Sequence, residues 1–332
     1  MSALVQIYAD ENFRPDKSGP AISTVGTFDG VHLGHRKILE RLTTADSDHR
    51  VRTVVTFEPH PQNVMRHRPG LVPIITSTPE KVHLLKACGV DRILILRFTK
   101  ELSQLPAEEF LTEILLKRLG TTKLVVGYNH AFGRGREGNC EYLKRVKDRF
   151  GFELEVVGPH YVDRETVSSS KIRRALEAGD LERASRFLGR PYCLDGVVIP
   201  GKGRGHDLRF PTANLKRVHN RKLIPRGGVY AVAVGADGQI HPGMLNIGTC
   251  PTFTQGNRRT SKKKDISIEV HLINYKGNLY DKTINMLFLK RLRDEKRFGS
   301  AQELGAQMGK DQRRSLEIYH SYHPGSLDKD IF

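Results

Sequence analysis

The stretch Gly26-Thr27-Phe28-Asp29-Gly30-Val31-His32-Leu33-Gly34-His35 leaves a β-branched run, AISTVGTF, and feeds directly into a helical pattern, HRKILERL. A strand that ends in a glycine-containing turn and opens a helix is the building unit of a parallel α/β sheet. At the carboxyl end of a parallel strand such a turn is where nucleotides bind, because free backbone N–H groups at a helix start attract phosphate. His32 and His35 are three apart, so they share one helical face and can reach one anion. Gly34 removes a side chain that would block close approach by a base or ribose. A set of loop glycines beside two surface histidines is the plainer alternative, and H-x-G-H alone does not decide between them.

Outward from this turn the same texture continues. Strand candidates RTVVTF, RILILRF, TKLVVGY and FELEVVG alternate with the helical pieces PEKVHLLKACG and AEEFLTEILLKRLG. In the last of these Phe110, Ile114 and Leu115 fall on one helical face, with Gly120 as a stop signal. Two more helices follow at SSKIRRALEAG and DLERASRFLG, each with a polar cap in front and a glycine behind. After GRPY the pattern changes to short strands in series: CLDGVVI, GVYAVAV, MLNIG, DISIEVHLI and LYDKTINMLFL. Glycine, proline and asparagine punctuate them, which predicts a small β-barrel. Ser300 and Glu303 fit a capping box that opens a final helix. The expected division is therefore 1–186, 187–322 and a tail at 323–332.

The chain has 332 residues, enough for two cores, with 38% hydrophobic and 27% charged residues, as in ordinary globular domains. No run approaches the length needed to cross a bilayer, and MSALVQIYAD lacks the basic start and apolar run of a signal peptide. Cys88, Cys140, Cys193 and Cys250 are scattered, which supports neither disulfides nor a zinc site. The expectation is a cytoplasmic protein. A net charge of +17 is compatible with a polyanionic partner or with a solvated basic surface. Its one local run, Arg258, Arg259, Lys262, Lys263 and Lys264, reads as an exposed loop.

Two glycine patterns are decoys. Gly133 to Gly138 spells G-x-G-x-x-G but comes several residues after its strand. Gly196 to Lys202 fits the start of a P-loop, but Gly203 stands where a hydroxyl is required, and Val197-Val198-Ile199-Pro200 reads as strand.

The ten-residue turn resembles the signature of the nucleotidyltransferase superfamily, in the version found in bacterial bifunctional riboflavin kinase/FAD synthetases. Three further segments are similar to that family. Thr56-Phe57-Glu58-Pro59-His60-Pro61 matches its T-F-x-P-H-P element. Gly127-Tyr128-Asn129-His130-Ala131-Phe132-Gly133 matches its G-x-[ND]-F-x-F-G loop, with His130 where phenylalanine is usual. Ser168-Ser169-Ser170-Lys171-Ile172-Arg173 matches its S-S-[ST]-x-I-R motif. That last segment also gathers hydroxyls and N–H groups at a helix start, one turn before an arginine whose planar fork suits phosphate. A serine cap with a solvated arginine is the alternative.

In the second half, Gly201-Lys202-Gly203-Arg204-Gly205 leads into Phe210-Pro211-Thr212-Ala213-Asn214. A glycine-rich stretch can wrap phosphates with its amides, and Thr212 and Asn214 offer two uncharged oxygens suited to Mg²⁺. A turn followed by an edge strand would look the same. F-P-T-A-N-L resembles the flavokinase signature, as do GVYAV, NIGTCPTF, SIEVHLI and LRDEKRF. The family usually has G-R-x-L-G-F before P-T-A-N; here His206 replaces the arginine and Arg209 the glycine.

The resemblance implies a Rossmann-like nucleotidyltransferase domain built on a parallel sheet, then a β-barrel flavokinase domain with a C-terminal helix. It implies conversion of riboflavin to FMN and of FMN to FAD, with ATP as co-substrate twice and Mg²⁺ as cofactor. By the same resemblance Glu269 is the general base; otherwise it is an outward residue of a strand whose Ile268 and Val270 point inward. Gly201, Gly203, Gly205, Pro211 and Arg293 belong to the kinase's nucleotide and flavin site, with Thr212 and Asn214 as metal ligands. His32 and His35 are the catalytic pair of the other half, where Gly26, Phe28, Asp29, Gly34, Asn129, Ser168, Ser169 and Arg173 bind ATP. No nucleic-acid or membrane partner is expected. A tRNA-linked H-x-G-H synthetase and a non-catalytic nucleotide- or RNA-binding module are the competing readings.

Overall fold

The computed structural model describes residues 4–8, 19–44, 50–65, 71–200, 210–250 and 265–322. The chain divides into two compact units, Met1–Ser169 and Ser170–Phe332.

The first unit begins β1 (Leu4–Tyr8), β2 (Ala21–Val25), α1 (Leu33–Thr44), β3 (Val51–Glu58), α2 (Pro61–Met65), α3 (Thr78–Ala87) and β4 (Arg92–Arg97). It continues with α4 (Lys100–Gln104), α5 (Ala107–Glu109) running into a π-helical segment Phe110–Arg118, β5 (Thr121–Gly127), β6 (Ala131–Phe132), β7 (Gly138–Asn139) and α6 (Cys140–Phe150). It ends with β8 (Glu153–Val157) and the hairpin β9 (Tyr161–Val162) and β10 (Glu165–Thr166). Six strands form one parallel sheet in the order β1-β4-β3-β2-β5-β8. The chain winds from β2 outward to β4, then returns to place β5 on the other side of β2. The gap between the carboxyl ends of β2 and β5 is therefore a topological switch point, the place where open α/β sheets bind ligands.

Both faces of the sheet are covered, so its strands are apolar on both sides. Ile22, Val54, Ile93 and Val125 pack with Leu39, Leu42, Leu84 and Leu85 of α1 and α3. Val25, Val55, Leu94, Leu124 and Val126 pack with Phe110, Leu111, Leu115 and Leu143 on the other face. Ser77 and Glu80 close a reciprocal capping box at the start of α3. Segment Phe110–Arg118 winds as a π-helix, and Phe110, Ile114 and Leu115 all pack into one core cluster as expected. The Leu119 N–H bonds to the Ile114 carbonyl five residues back, at 3.1 Å. That wider turn sets Leu115 beneath Phe110 and buries Leu111, while Ile114 is only partly covered. Gly133 to Gly138 forms a small hairpin, β6 with β7, rather than a dinucleotide turn.

The second unit opens with α7 (Ser169–Ala178), whose first residue marks the division, and α8 (Leu181–Leu188), capped by Asp180 and closed by left-handed Gly189. Six strands follow: β11 (Tyr192–Ile199), β12 (Ala213–Arg217), β13 (Gly228–Ala236), β14 (Gln239–Cys250), β15 (Asp265–Leu272) and β16 (Thr283–Arg293). They close an antiparallel barrel in the order β11-β12-β15-β14-β13-β16. Alternate residues fill it: Tyr192, Phe288 and Val232 share one inward row, Leu194, Met286 and Val234 the next. The last helix, α9 (Ala301–Ser321), lays Tyr319 on the outward residues Cys193, Ala233, Leu287 and Leu289. The Ser300 hydroxyl accepts from the Glu303 N–H at 3.2 Å, and the Glu303 carboxylate reaches back to the Gly299 N–H. The segment PTAN runs into β12, an interior position of the closed barrel rather than an edge. The basic run 258–264 lies outside the described residues.

Candidate active sites

The turn after β2 is both strained and buried. Phe28 and Val31 adopt φ of 47° and 37°, with Gly30 at 93° between them. Left-handed backbone costs a β-branched residue about 1–3 kcal/mol and persists only where the surroundings fix it. Phe28 and Val31 are fully packed, and the Val31 N–H donates to the Phe28 carbonyl. The Asp29 Oδ1 accepts from the Ile75 and Thr76 N–H groups at 2.9 and 3.0 Å, and the Gly30 N–H donates to Thr76 Oγ1 at 3.0 Å. From α7, the Ser169 hydroxyl donates to the Asp29 carbonyl at 2.8 Å. Asp29 is thus 2% exposed and committed to holding the turn's shape. Gly26 has no room for a side chain larger than hydrogen without shifting the Phe28 ring, 3.1 Å from where its Cβ would stand.

His32 sits immediately before α1 and acts as its cap, with its Nδ1 accepting from the His35 N–H at 3.2 Å. With Nδ1 so used, Nε2 is the nitrogen left to carry the proton. The two imidazoles are stacked, with centroids 3.6 Å apart and planes 13° from parallel, and Phe28 packs on His35. A Cβ on Gly34 would stand 3.2 Å from the His32 ring, so that glycine makes room for the stack. Asn129 is exposed just beyond the carboxyl end of β5, on the far side of the switch point from the histidines. Its neighbour His130 points Nε2 inward, without a partner among the described residues, beside Phe132. Burial pulls the His130 pKa down to about 4, with Arg136 adding to the effect. Ser168 and Ser169 stand at the start of α7, and Arg173 is buried one turn further on.

In the barrel, strand register builds the second site. Glu269 on β15 lies directly opposite Asn214 on β12 and Asn246 on β14. The same row continues to Val229 on β13 and Arg293 on β16. Residues paired across a sheet share a face, and this face is outward, since Ile268 and Val270 fill the barrel. The outward alternative for Glu269 is therefore also the cavity alternative. A cavity of about 370 Å³ is lined by Glu269, Asn246, Val229 and Arg293 of this row together with Phe298, Leu304 and Met308. At its far end Arg293 is clamped by the buried Asp311 of α9, Nε donating to Oδ2 at 3.0 Å and Nη2 ion-paired with the same oxygen at 2.8 Å. A second cavity of about 170 Å³ lies between β12 and the 275–280 loop, and Thr212 lines both. His271, two residues after Glu269, donates from Nδ1 to the Pro211 carbonyl at 2.8 Å and packs against Phe210. Burial lowers its pKa, and its bond to the Pro211 carbonyl holds the segment before Thr212 in place. Pro211 itself is exposed. Gly201, Gly203, Gly205, His206 and Arg209 lie outside the described residues.

Two family models divide the sequence in the same sense. One described as FAD synthetase matches residues 14–171, and one described as riboflavin kinase matches residues 188–319. A bifunctional riboflavin kinase/FMN adenylyltransferase of Pseudomonas fluorescens is 36% identical over 301 residues, 90% of this chain and 93% of that protein. The chain belongs to the bifunctional riboflavin kinase/FMN adenylyltransferase family. The family member of Escherichia coli K12 is 34% identical over 90% of this chain and 92% of its own length. A solved structure described as a macrolide-efflux protein from Streptococcus pneumoniae superposes with a TM-score of 0.83 at 26% identity. It covers 94% of this chain and 98% of its own. Among the described residues no helix of this family member is long and apolar enough to cross a membrane.

Several residues that shape the two sites of this bifunctional family member carry no role assigned from the motifs, although Asn246 and His271 lie within NIGTCPTF and SIEVHLI. Thr76 and Lys81 brace the first turn; Asn246, His271 and Asp311 frame the barrel cavity. Two carried a visible signal. Lys81 shares the apolar stripe of α3 with Leu84 and Leu85, and Asp311 shares the buried stripe of α9 with Ser315 and Tyr319. A charge at a stripe position has to find a partner in the fold.

Proposed function

We infer that the chain phosphorylates riboflavin to FMN with ATP and adenylates FMN to FAD with a second ATP, releasing pyrophosphate. The observation that carries this is the presence of both family halves in one chain, over residues 14–171 and 188–319.

In the kinase half, riboflavin occupies the larger cavity. From Glu269 to Arg293 is three strand spacings, roughly 14 Å, which accommodates a planar tricyclic ring. Glu269 takes the proton from the ribityl 5′ hydroxyl as that oxygen attacks the γ-phosphorus. The bond to the β–γ bridging oxygen breaks, and ADP leaves. A positioned base of this kind contributes about 10²–10⁴-fold. Gly201, Gly203, Gly205 and Pro211 bind the ATP phosphates, and Thr212 lines both pockets. Thr212 and Asn214, beside a carboxylate, form a hard oxygen donor set that fits Mg²⁺ together with phosphates and water. Bound there, Mg²⁺ neutralises charge on the phosphates.

In the other half, an FMN phosphate oxygen attacks the α-phosphorus of ATP, and the bond to the α–β bridging oxygen breaks. The Nε2–H of His32, with His35 stacked on it, donates to the charge that builds on the phosphates. Gly26, Phe28, Asp29 and Gly34 set the backbone that receives the nucleotide. Asn129 contacts it from the other side of the switch point, and Ser168, Ser169 and Arg173 hold the triphosphate. The functional boundary falls at 186/187, and the enzyme works in the cytoplasm. Incubating the pure protein with riboflavin, ATP and Mg²⁺ and resolving the flavins over time tests the assignment. FMN should rise first and then decline as FAD accumulates; absence of both products would refute it.

A further inference from the structure

Lys81 is 5% exposed and takes no part in the chemistry described above. Three circumstances oppose a lysine at this position. Burial strips water from the ammonium. The residue sits in the second turn of α3, near the positive end of the helix dipole. None of its hydrogen-bond partners is a carboxylate: Nζ donates to the Thr27 carbonyl at 3.0 Å, Thr56 Oγ1 at 3.3 Å and the Phe57 carbonyl at 3.5 Å. The Thr56 hydroxyl gives its own proton to the Thr27 carbonyl at 3.1 Å, so it accepts from Lys81. Three oxygens thus take three N–H donors, and only the protonated amine has three. Burial lowers the Lys81 pKa, while the nearby carboxylates of Asp29 and Glu58 favour its charged form.

The bonded oxygens identify what this buried cation does. Thr27 immediately precedes the strained Phe28, and Phe57 lies near the end of β3. Lys81 therefore ties the carboxyl ends of β2 and β3 together and holds the peptide that enters the turn. Without it the Thr27 carbonyl loses its charged donor and keeps only the Thr56 hydroxyl, so the peptide between Thr27 and Phe28 is held less firmly. Phe28 and Val31 would then relax toward ordinary backbone, carrying His32 with them.

We propose that Lys81 is a positioning residue for adenylyl transfer, an ammonium that pins the Thr27 carbonyl and thereby fixes the turn that presents His32 and His35. The proposal rests on the adenylyltransferase reading of the first unit. Lys81→Met keeps length and removes the donors, and Thr56→Val removes only the hydroxyl. Each is assayed for FAD formation from FMN and ATP, for FMN formation from riboflavin as an internal control, and for thermal unfolding. The kcat for FAD formation should fall about 10–100-fold in folded Lys81→Met and less in Thr56→Val, as expected when a reacting group is misplaced by about 1 Å. KM for FMN and ATP should hardly move, and FMN formation should be unchanged. Wild-type kcat in folded Lys81→Met, or a loss confined to KM, overturns the proposal. If Lys81→Met does not fold, Thr56→Val decides, and an unchanged kcat there overturns it. Absence of FAD formation by the wild-type chain refutes the underlying reading instead; FAD formation by wild type and Lys81→Met alike refutes Lys81 alone.

Discussion

The histidine turn and the barrel cavity reach an ordered site by opposite routes. The turn is one contiguous stretch whose backbone is held away from its preferred conformations by Asp29, Thr76, Ser169 and Lys81. The cavity draws single residues from β15, β14, β13 and β16 and sets them in line by register, with one irregularity beside Val229. In the first, precision comes from strain that the surroundings maintain. In the second it comes from the sheet itself, with α9 supplying part of the lining and the Arg293 clamp. A site of the first kind should be sensitive to substitutions behind it, and a site of the second kind to the residues in its row.

The largest effect should come from that row. Glu269→Ala removes the proposed base and should lower FMN formation by about 10²–10⁴-fold, with FAD formation from supplied FMN unchanged. Losing both products would show that the two regions do not act independently. Replacing both His32 and His35 by alanine should lower FAD formation by about 10²–10³-fold or more and spare FMN formation, as measured by separating the flavins.

His130 offers a finer test, confined to the first unit. Its folded pKa of about 4 lies below the unfolded value near 6.5, so the unfolded chain binds the extra proton throughout that window. Stability is fully present above pH 6.5 and is lost as pH falls toward 4, by up to about 3 kcal/mol from this ring. In His130→Phe that component should vanish, and denaturant unfolding at pH 7 and pH 4.5 should show a smaller difference than in wild type. An equal difference would assign the acid sensitivity elsewhere. The smallest effect should be that of Asp311→Asn, which weakens the hold on Arg293. It should cost roughly 1–2 kcal/mol by urea unfolding. It should also raise the KM for riboflavin without changing the KM for FMN in FAD formation.

The contrast also explains what the amino-acid sequence disclosed. The histidine turn was legible because strand, glycines and helix start are adjacent in sequence, and each imposes a local conformation. The alternation of β15 placed Glu269 outward, but only the pairing of β12, β14 and β15 shows Asn214 and Asn246 beside it. Phe110, Ile114 and Leu115 do share the core-facing side, but the five-residue hydrogen-bond step of their helix was not legible, because it cannot be told from a four-residue one in a leucine-rich segment. Thr76 and Asp311 lie 46 residues or 18 residues from the groups they hold, a relation that no motif window spans. His32 as the cap of α1 is an intermediate case: its place before the helix is local, whereas its stack on His35 depends on the space left by Gly34.

The central claim, two separate sites joined only by the FMN that passes between them, is tested most directly by complementation in one tube. Glu269→Ala protein and the His32→Ala/His35→Ala protein are mixed with riboflavin, ATP and Mg²⁺, and FAD is measured against each protein alone. The account predicts FAD in the mixture and almost none from either variant by itself, because FMN made at one barrel reaches the other protein's intact turn. A mixture that forms no FAD, while the wild-type chain does, would contradict it.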